Sequence, residues 1–392
     1  MSGIFGPHRP NWLLQASRAI NRHVAPHHQS SGASSTPSCP PAVCMYFNAA
    51  YYPNWHVYRN QPPSSLKLDV ISHLFYAFAW VKPDGTVYLS DEWADTQMPV
   101  DNTTGCLRSF AELKRKHSVL KLILSVGGGG KGSDNFAAVA QRPEAREQFA
   151  KTARDLCLTY GLDGIDVDWE HPSNPAEGAA YVELLARLRA YLPPPRFTLT
   201  TALPAGAWAL RHIDLGAAAR QLDLVNVMAY DFSGPWTATA AHHAQLRAAP
   251  SDQGQGPPQP SGLDAVAYLT AGGVPPAKIL LGVPCYGRSF LAASRPGAAY
   301  SGHGGHDGVF EYRELPRPGA AEHVDGAAGA AFCVGGDDAG GLVSYDNVAT
   351  VRMKADWVKE AGLAGLFYWT ATGDKDDVER SLVYNGYLRL HS

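Results

Sequence analysis

The chain has 392 residues, 45% of them apolar and 18% charged, with a formal net charge of −3. Such a composition is globular and long enough for one large core or two ordinary domains. Its scattered Lys and Arg make no basic footprint for nucleic acid, and no apolar run reaches the roughly eighteen residues of a membrane span.

The amino terminus is basic, since Arg9, Arg18, Arg22 and Arg59 all precede the first acidic residue, Asp69. It lacks the apolar stretch of a secretory signal peptide, so a cytoplasmic or non-classically secreted protein is expected. NWLLQASRAINRHV has the pattern of a short basic amphipathic helix, similar to a transit peptide, and HHQSSGASSTPSCPP after it is low in large apolar residues. Residues 1–40 are therefore expected to be a disordered or targeting tail.

Eight short apolar runs follow: AVCMYFN (42–48), ISHLFYAFAW (71–80), LKLILSVGG (120–128), GIDVDW (164–169), RFTLTTALP (196–204), LDLVNVMAYD (222–231), KILLGVPCYG (278–287) and LAGLFYWT (363–370). Helix-patterned segments such as REQFAKTARDLCLTYG (146–161) and AAYVELLARLRAYL (179–192) lie between them. Strands alternating with helices imply a parallel sheet, and eight such units imply a (β/α)8 TIM barrel. The regularity breaks at the Pro/Gly/Gln loop 249–261 and again at 290–345, where VFEYREL, AAFCV and LVSYD look like short strands. The expected organisation is a barrel over 41–289 and 346–392, with a small α+β insertion (290–345) between strands seven and eight. The six cysteines form no CxxC pair and read as core residues rather than a disulfide framework or zinc site.

The fourth run continues into Glu170, and Asp166, Asp168 and Glu170 stand on alternate positions, with Ile165, Val167 and Trp169 between them. On a strand these acids share one face. In a barrel that face points inward and rises toward the carboxyl end, where barrel active sites lie. Asp163 has the opposite parity and belongs at the strand entrance. The acidic face has three readings: a solvated surface, a seat for a hard divalent cation, or proton chemistry. Crowded carboxylates cannot all ionise easily, which leaves one protonated near neutral pH.

DGIDVDWE (163–170) resembles the DxxDxDxE signature of glycoside hydrolase family 18, the chitinases and their relatives. LILSVGG (122–128) is similar to that family's SxGG motif, VMAYDF (227–232) to its MxYD motif, LGVPCYGRSF (281–290) to its LGxPxYGRxF segment, and LFYWTATGD (366–374) to its eighth strand. The resemblance spans roughly 42–385, in the family's order, and looks most like fungal members.

The resemblance implies retaining, substrate-assisted hydrolysis of β-1,4 bonds between N-acetylglucosamine units. Glu170 would be the general acid, Asp168 would orient the acetamido group, Asp166 would share a proton with Asp168, and Tyr230 would hold the acetamido oxygen. Trp369 would form the floor beneath the sugar, and Met228, Asp231, Tyr286 and Arg288 match other substrate-contacting positions. Tyr46 and Phe78 are expected to line the same pocket, while Trp236 either stacks on a sugar or anchors its loop. Ser125, Gly127 and Gly128 are expected to be structural residues near the acids. Two positions depart from the family: Gly129 where many relatives have Trp, and His171 where many have Tyr. The pattern calls for no cofactor and no metal, and for a monomer whose partner is chitin or chitooligosaccharide; the resemblance leaves an extracellular location open beside the cytoplasmic or non-classically secreted one. The alternatives are a family 18 lectin without activity and an endo-β-N-acetylglucosaminidase acting on N-glycans.

Overall fold

The computed structural model describes residues 46–248, 260–336 and 340–392. The expected tail at 1–40 lies outside the described residues, as do Cys39, Cys44 and most of the 249–261 loop.

Eight parallel strands close on themselves: Phe47–Pro53, His73–Val81, Lys121–Gly127, Gly164–Asp168, Thr198–Pro204, Leu224–Met228, Ile279–Pro284 and Gly365–Trp369. Strand one pairs with strand eight (Phe47 opposite Gly365) and with strand two (Ala49 opposite His73), so the ring has no break. Strand seven is buried at every position, as expected of a parallel sheet covered on both faces. Inside the barrel Tyr51, Phe75, Ile123, Leu280 and Phe367 pack together. Val87–Leu89 extends strand two as an antiparallel hairpin.

The first strand differs from its expected position. The run 42–48 ends where the strand begins, and the paired segment is FNAAYYP. Alanine, tyrosine and a buried asparagine gave this segment a weak apolar signal. Asn48 is 1% exposed because its amide donates to the carbonyls of Val70 (2.8 Å) and Val383 (3.1 Å). Tyr46 consequently precedes the strand, at the amino-terminal mouth, where its ring meets that of His391 at 6.5 Å.

The outer helices start and stop on local chemistry. Pro143–Tyr160 opens with proline in its first turn and ends at Gly161, whose φ of 65° is left-handed. Pro175–Tyr191 is capped by Asn174, whose side chain accepts the Glu177 N–H at 3.0 Å. Ser261, Asn347 and Ser381 cap later helices in the same way.

Two aspartates clamp the amino-terminal ends of neighbouring strands. Asp163 accepts from the Leu122 N–H of strand three at 2.7 Å and from Lys114. Asp223 accepts from the Leu199 N–H of strand five at 2.8 Å and from Arg189 at 2.7 Å.

Between strands seven and eight lies a five-stranded antiparallel sheet. Its spatial order is Val309–Glu311, Tyr286–Phe290, Leu342–Tyr345, Ala330–Gly335 and Ala320–Asp325. Tyr286 and Arg288 thus belong to this sheet, immediately after strand seven. Cys106, Cys157, Cys285 and Cys333 are buried free thiols. Among the described residues no helix is long and apolar enough to cross a membrane.

Candidate active site

Strand four presents its two faces as its alternation requires. Ile165 and Val167 are fully buried toward the helix layer, and Trp169 stacks on Phe136 with ring centroids 5.7 Å apart. The opposite face carries the acids, in three different states of satisfaction.

Asp166, fully buried, is surrounded by donors. Its Oδ2 accepts from Tyr51 (2.9 Å) and Ser125 (2.7 Å), and its Oδ1 from Thr200 (2.6 Å) and more distantly Asn226 (3.4 Å). Burial pushes its carboxyl up, and these hydroxyls partly offset the rise. Oxygens that accept from so many hydroxyls are arranged as a hydrogen-bonded acid rather than as metal ligands. Among the described residues no group of three His, Cys, Asp or Glu is placed to hold a metal.

Asp168 is 3% exposed, and its Oδ1 has no hydrogen-bond partner among the described residues. Burial raises this carboxyl well above the usual range, and the charges of Glu170 and Asp166 raise it further. Glu170 is partly exposed at the top of the same face. Burial, then the charge of Asp231, pushes its carboxyl up as well. Its backbone N–H donates to Ser133 Oγ at 2.8 Å, which fixes the turn after the strand. His171 Nε2 stands 3.9 Å from Glu170 Oε2, and burial pushes the imidazole pKa down, so it adds little positive charge near neutral pH.

The glycines after strand three make this crowding possible. Gly127 and Gly128 have φ of 123° and 89°. A Cβ on Gly127 would lie 2.1 Å from the Asp168 carbonyl oxygen, and one on Gly128 would lie 2.7 Å from the Phe78 ring. The Gly128 N–H donates to the Asp168 carbonyl at 2.8 Å. At Gly129 a Cβ would come only within 3.7 Å of the Glu170 oxygens, so the space above the acid stays open.

Strands six, seven and eight supply the facing wall. Tyr230 follows strand six, and its ring lies 6.1 Å from Tyr286 and 6.2 Å from Phe367. Burial and then the charge of Asp168 raise its hydroxyl, so it remains a donor. Asp231, at φ 59°, accepts from Arg288 Nε at 2.8 Å. Burial alone would raise the Asp231 carboxyl, but His243 and Arg288 hold it below the usual carboxylate range. Trp369 packs on Tyr51 (5.3 Å) and lies nearly parallel to Phe78 (5.8 Å, 25°). Met228 packs beside these rings. Trp236 is 60% exposed with the Arg288 guanidinium 4.9 Å from its ring. A cleft of about 560 Å³ runs from Trp369, Asp231, Tyr286 and Arg288 out to Trp55 and Glu311.

The carboxyl-terminal end of the barrel therefore gathers Phe78, Asp166, Asp168, Glu170, Met228, Tyr230, Asp231, Tyr286, Arg288 and Trp369. Tyr46 and Asp163 stand at the other end, Tyr46 because strand one starts after it and Asp163 because it precedes strand four. Sequence reading missed Tyr51, Thr200, Asn226 and Ser133. Asn226 did leave a signal, as a buried polar residue inside the apolar stretch LVNVM, whereas Thr200 is one of three threonines in its strand and is singled out only by the register that sets it directly opposite Asp166.

Glycosyl hydrolases family 18 matches residues 48–374 of the chain. The chain is 37% identical to Endochitinase 1 of Metarhizium robertsii over 84% of its own length and 82% of the relative's. It is 32% identical to Chitinase 1 of Aphanocladium album, over 97% and 92% of the two lengths. A solved structure of a Cycas revoluta chitinase in complex with (GlcNAc)3 superposes with a TM-score of 0.76 at 29% identity, covering 87% of this chain and 98% of that one. Motifs, barrel and matched span agree: the chain belongs to family 18 of the glycosyl hydrolases.

Proposed function

We propose that this chain is a chitinase that hydrolyses β-1,4 bonds between N-acetylglucosamine units with retention of configuration, using the substrate's own acetamido group. The observation that carries the reading is the placement of Asp166, Asp168 and Glu170 on one face of strand four, with Asp168 buried and its Oδ1 without a partner among the described residues. Burial and mutual charge push the Asp168 carboxyl up, and burial that of Glu170. A protonated Glu170 gives its proton to the glycosidic oxygen as the bond to the anomeric carbon breaks. The acetamido oxygen attacks that carbon and closes an oxazolinium ring. Asp168 accepts the acetamido N–H and offsets the growing positive charge, with Asp166 sharing its proton. The Tyr230 hydroxyl donates to the acetamido oxygen and holds it for attack. Water, deprotonated by Glu170, then opens the ring with the original configuration. The endochitinase and chitinase names of the relatives, and the (GlcNAc)3 bound to the Cycas structure, support this substrate class.

The test is to incubate the protein with soluble chitin oligosaccharides and follow the anomeric form of the first products. β-Anomers released before mutarotation are expected. α-Anomers would exclude the acetamido route, and no turnover would overturn the chitinase reading.

A further inference from the structure

His243 packs behind Asp231 and takes no part in the steps above. It is fully buried, and neither ring nitrogen has a hydrogen-bond partner within 3.5 Å among the described residues; Nδ1 comes nearest to one at Asp231, close enough to help hold that carboxyl down but long for a formed bond. Buried polar groups are nearly always paired, so two bare nitrogens on one ring require a reason. The ring is held by its surroundings instead. The Phe232 N–H donates to the His243 carbonyl at 3.0 Å, the His243 N–H donates to Ser344 Oγ at 3.1 Å, and the imidazole packs on Tyr286 at 5.2 Å. This anchoring leaves Nδ1 3.6 Å from Asp231 Oδ1, the same oxygen that accepts from Arg288 Nε. Asp231 lines the cleft.

We propose that His243 is a positioning residue for the reaction. Its neutral imidazole closes the 3.6 Å gap and donates Nδ1–H to Asp231 Oδ1 when a sugar engages that carboxylate. With Arg288 it fixes one oxygen, so that Asp231 offers the saccharide the other in a single orientation. Burial keeps the imidazole neutral against the pull of Asp231; Arg288 reinforces the effect, while Asp346 and the adjacent His242 also face the ring. The proposal rests on the saccharide reading above.

The test compares wild type, His243→Phe and His243→Asn by calorimetric binding of chitotriose, by KM and kcat on chitin oligosaccharides, and by Tm. Phenylalanine keeps the ring on Tyr286 but has no donor. Its Kd and KM should rise on the order of tenfold, with kcat changed much less, as expected on losing a hydrogen bond to a charged group. Asparagine places an amide N–H near Nδ1 and should recover most of the affinity. Wild-type affinity in the Phe variant overturns the proposal, and so does an Asn variant as impaired as Phe, which would mean packing alone. Wild-type binding without turnover would sink the chitinase reading while Kd still decides the role of His243. An absence of wild-type binding would overturn both.

Discussion

Asp163 and Asp168 stand at opposite ends of one strand, five positions apart in a single signature. At the amino-terminal end Asp163 meets a backbone N–H and Lys114, the same device that Asp223 builds with Leu199 and Arg189 on the next interface but one. At the carboxyl-terminal end Asp168 has one oxygen without a donor among the described residues, and its near neighbours include other acids. The lower acids exchange hydration for hydrogen bonds and join strands. Asp168 loses hydration without full replacement, which makes its charged form costly and keeps a proton in place. One residue type performs both tasks, and its partners decide which.

Glu170→Gln should break this comparison most severely. An amide cannot give up a proton to the glycosidic oxygen, so kcat should fall by about 10²–10⁴, the usual contribution of a general acid. In the proposed mechanism the working form of the wild type is protonated. Activity should therefore persist below the raised pKa of Glu170 and fall as pH rises through it, a limb set by burial and by Asp231. A pH–rate profile without that limb, or a Gln variant with wild-type kcat, would remove Glu170 from the acid's role.

Asp168→Asn sharpens the comparison by separating stability from activity. Burial, then Glu170 and Asp166, raise this carboxyl in the folded state. Above an unfolded value of about 3.9 the unfolded chain ionises while the folded chain still holds its proton, so folding loses stability as pH rises through that window. Asparagine removes the titration. Thermal unfolding should show the variant matching wild type near pH 4 and exceeding it toward pH 8, with kcat lower by about a hundredfold as the acetamido group loses its partner. A variant less stable than wild type at pH 8 would mean that the Asp168 charge is fully compensated.

Much of this end of the molecule was legible from residue pattern alone. Alternation put Asp166, Asp168 and Glu170 on one face, and the eight apolar runs gave the barrel. The failures have physical causes. Strand one carries alanine, tyrosine and a satisfied buried asparagine, so its apolar signal sat several residues early and drew Tyr46 to the wrong mouth. Tyr51, which donates to Asp166 and supports Trp369, was lost with it. The left-handed glycines announced a close approach, but that the approach is to the Asp168 carbonyl depends on a register between strands three and four. His243 and Ser133 make their contacts across loops, where neither parity nor helical period applies.

The smallest effect belongs to the lower end, and there it should be confined to stability. Asp163→Ala leaves the Leu122 N–H without its acceptor and Lys114 without its carboxylate, at a cost of about 2 kcal/mol for a charge-assisted site. Because the clamp touches the strand entrance and not the acids, kcat/KM at 25 °C should stay within about twofold of wild type, while the denaturant midpoint falls. Asp223→Ala should cost a similar amount. The two losses should add to within about 0.5 kcal/mol, because the clamps share no partner. A drop in kcat for Asp163→Ala approaching that of Asp168→Asn would show that strand four moves as a rigid rod and carries disturbance from one mouth to the other. Unchanged kcat with lowered stability would show the opposite: the glycines and Ser133 hold the upper acids locally, and the barrel's two ends are independent in energy though continuous in chain.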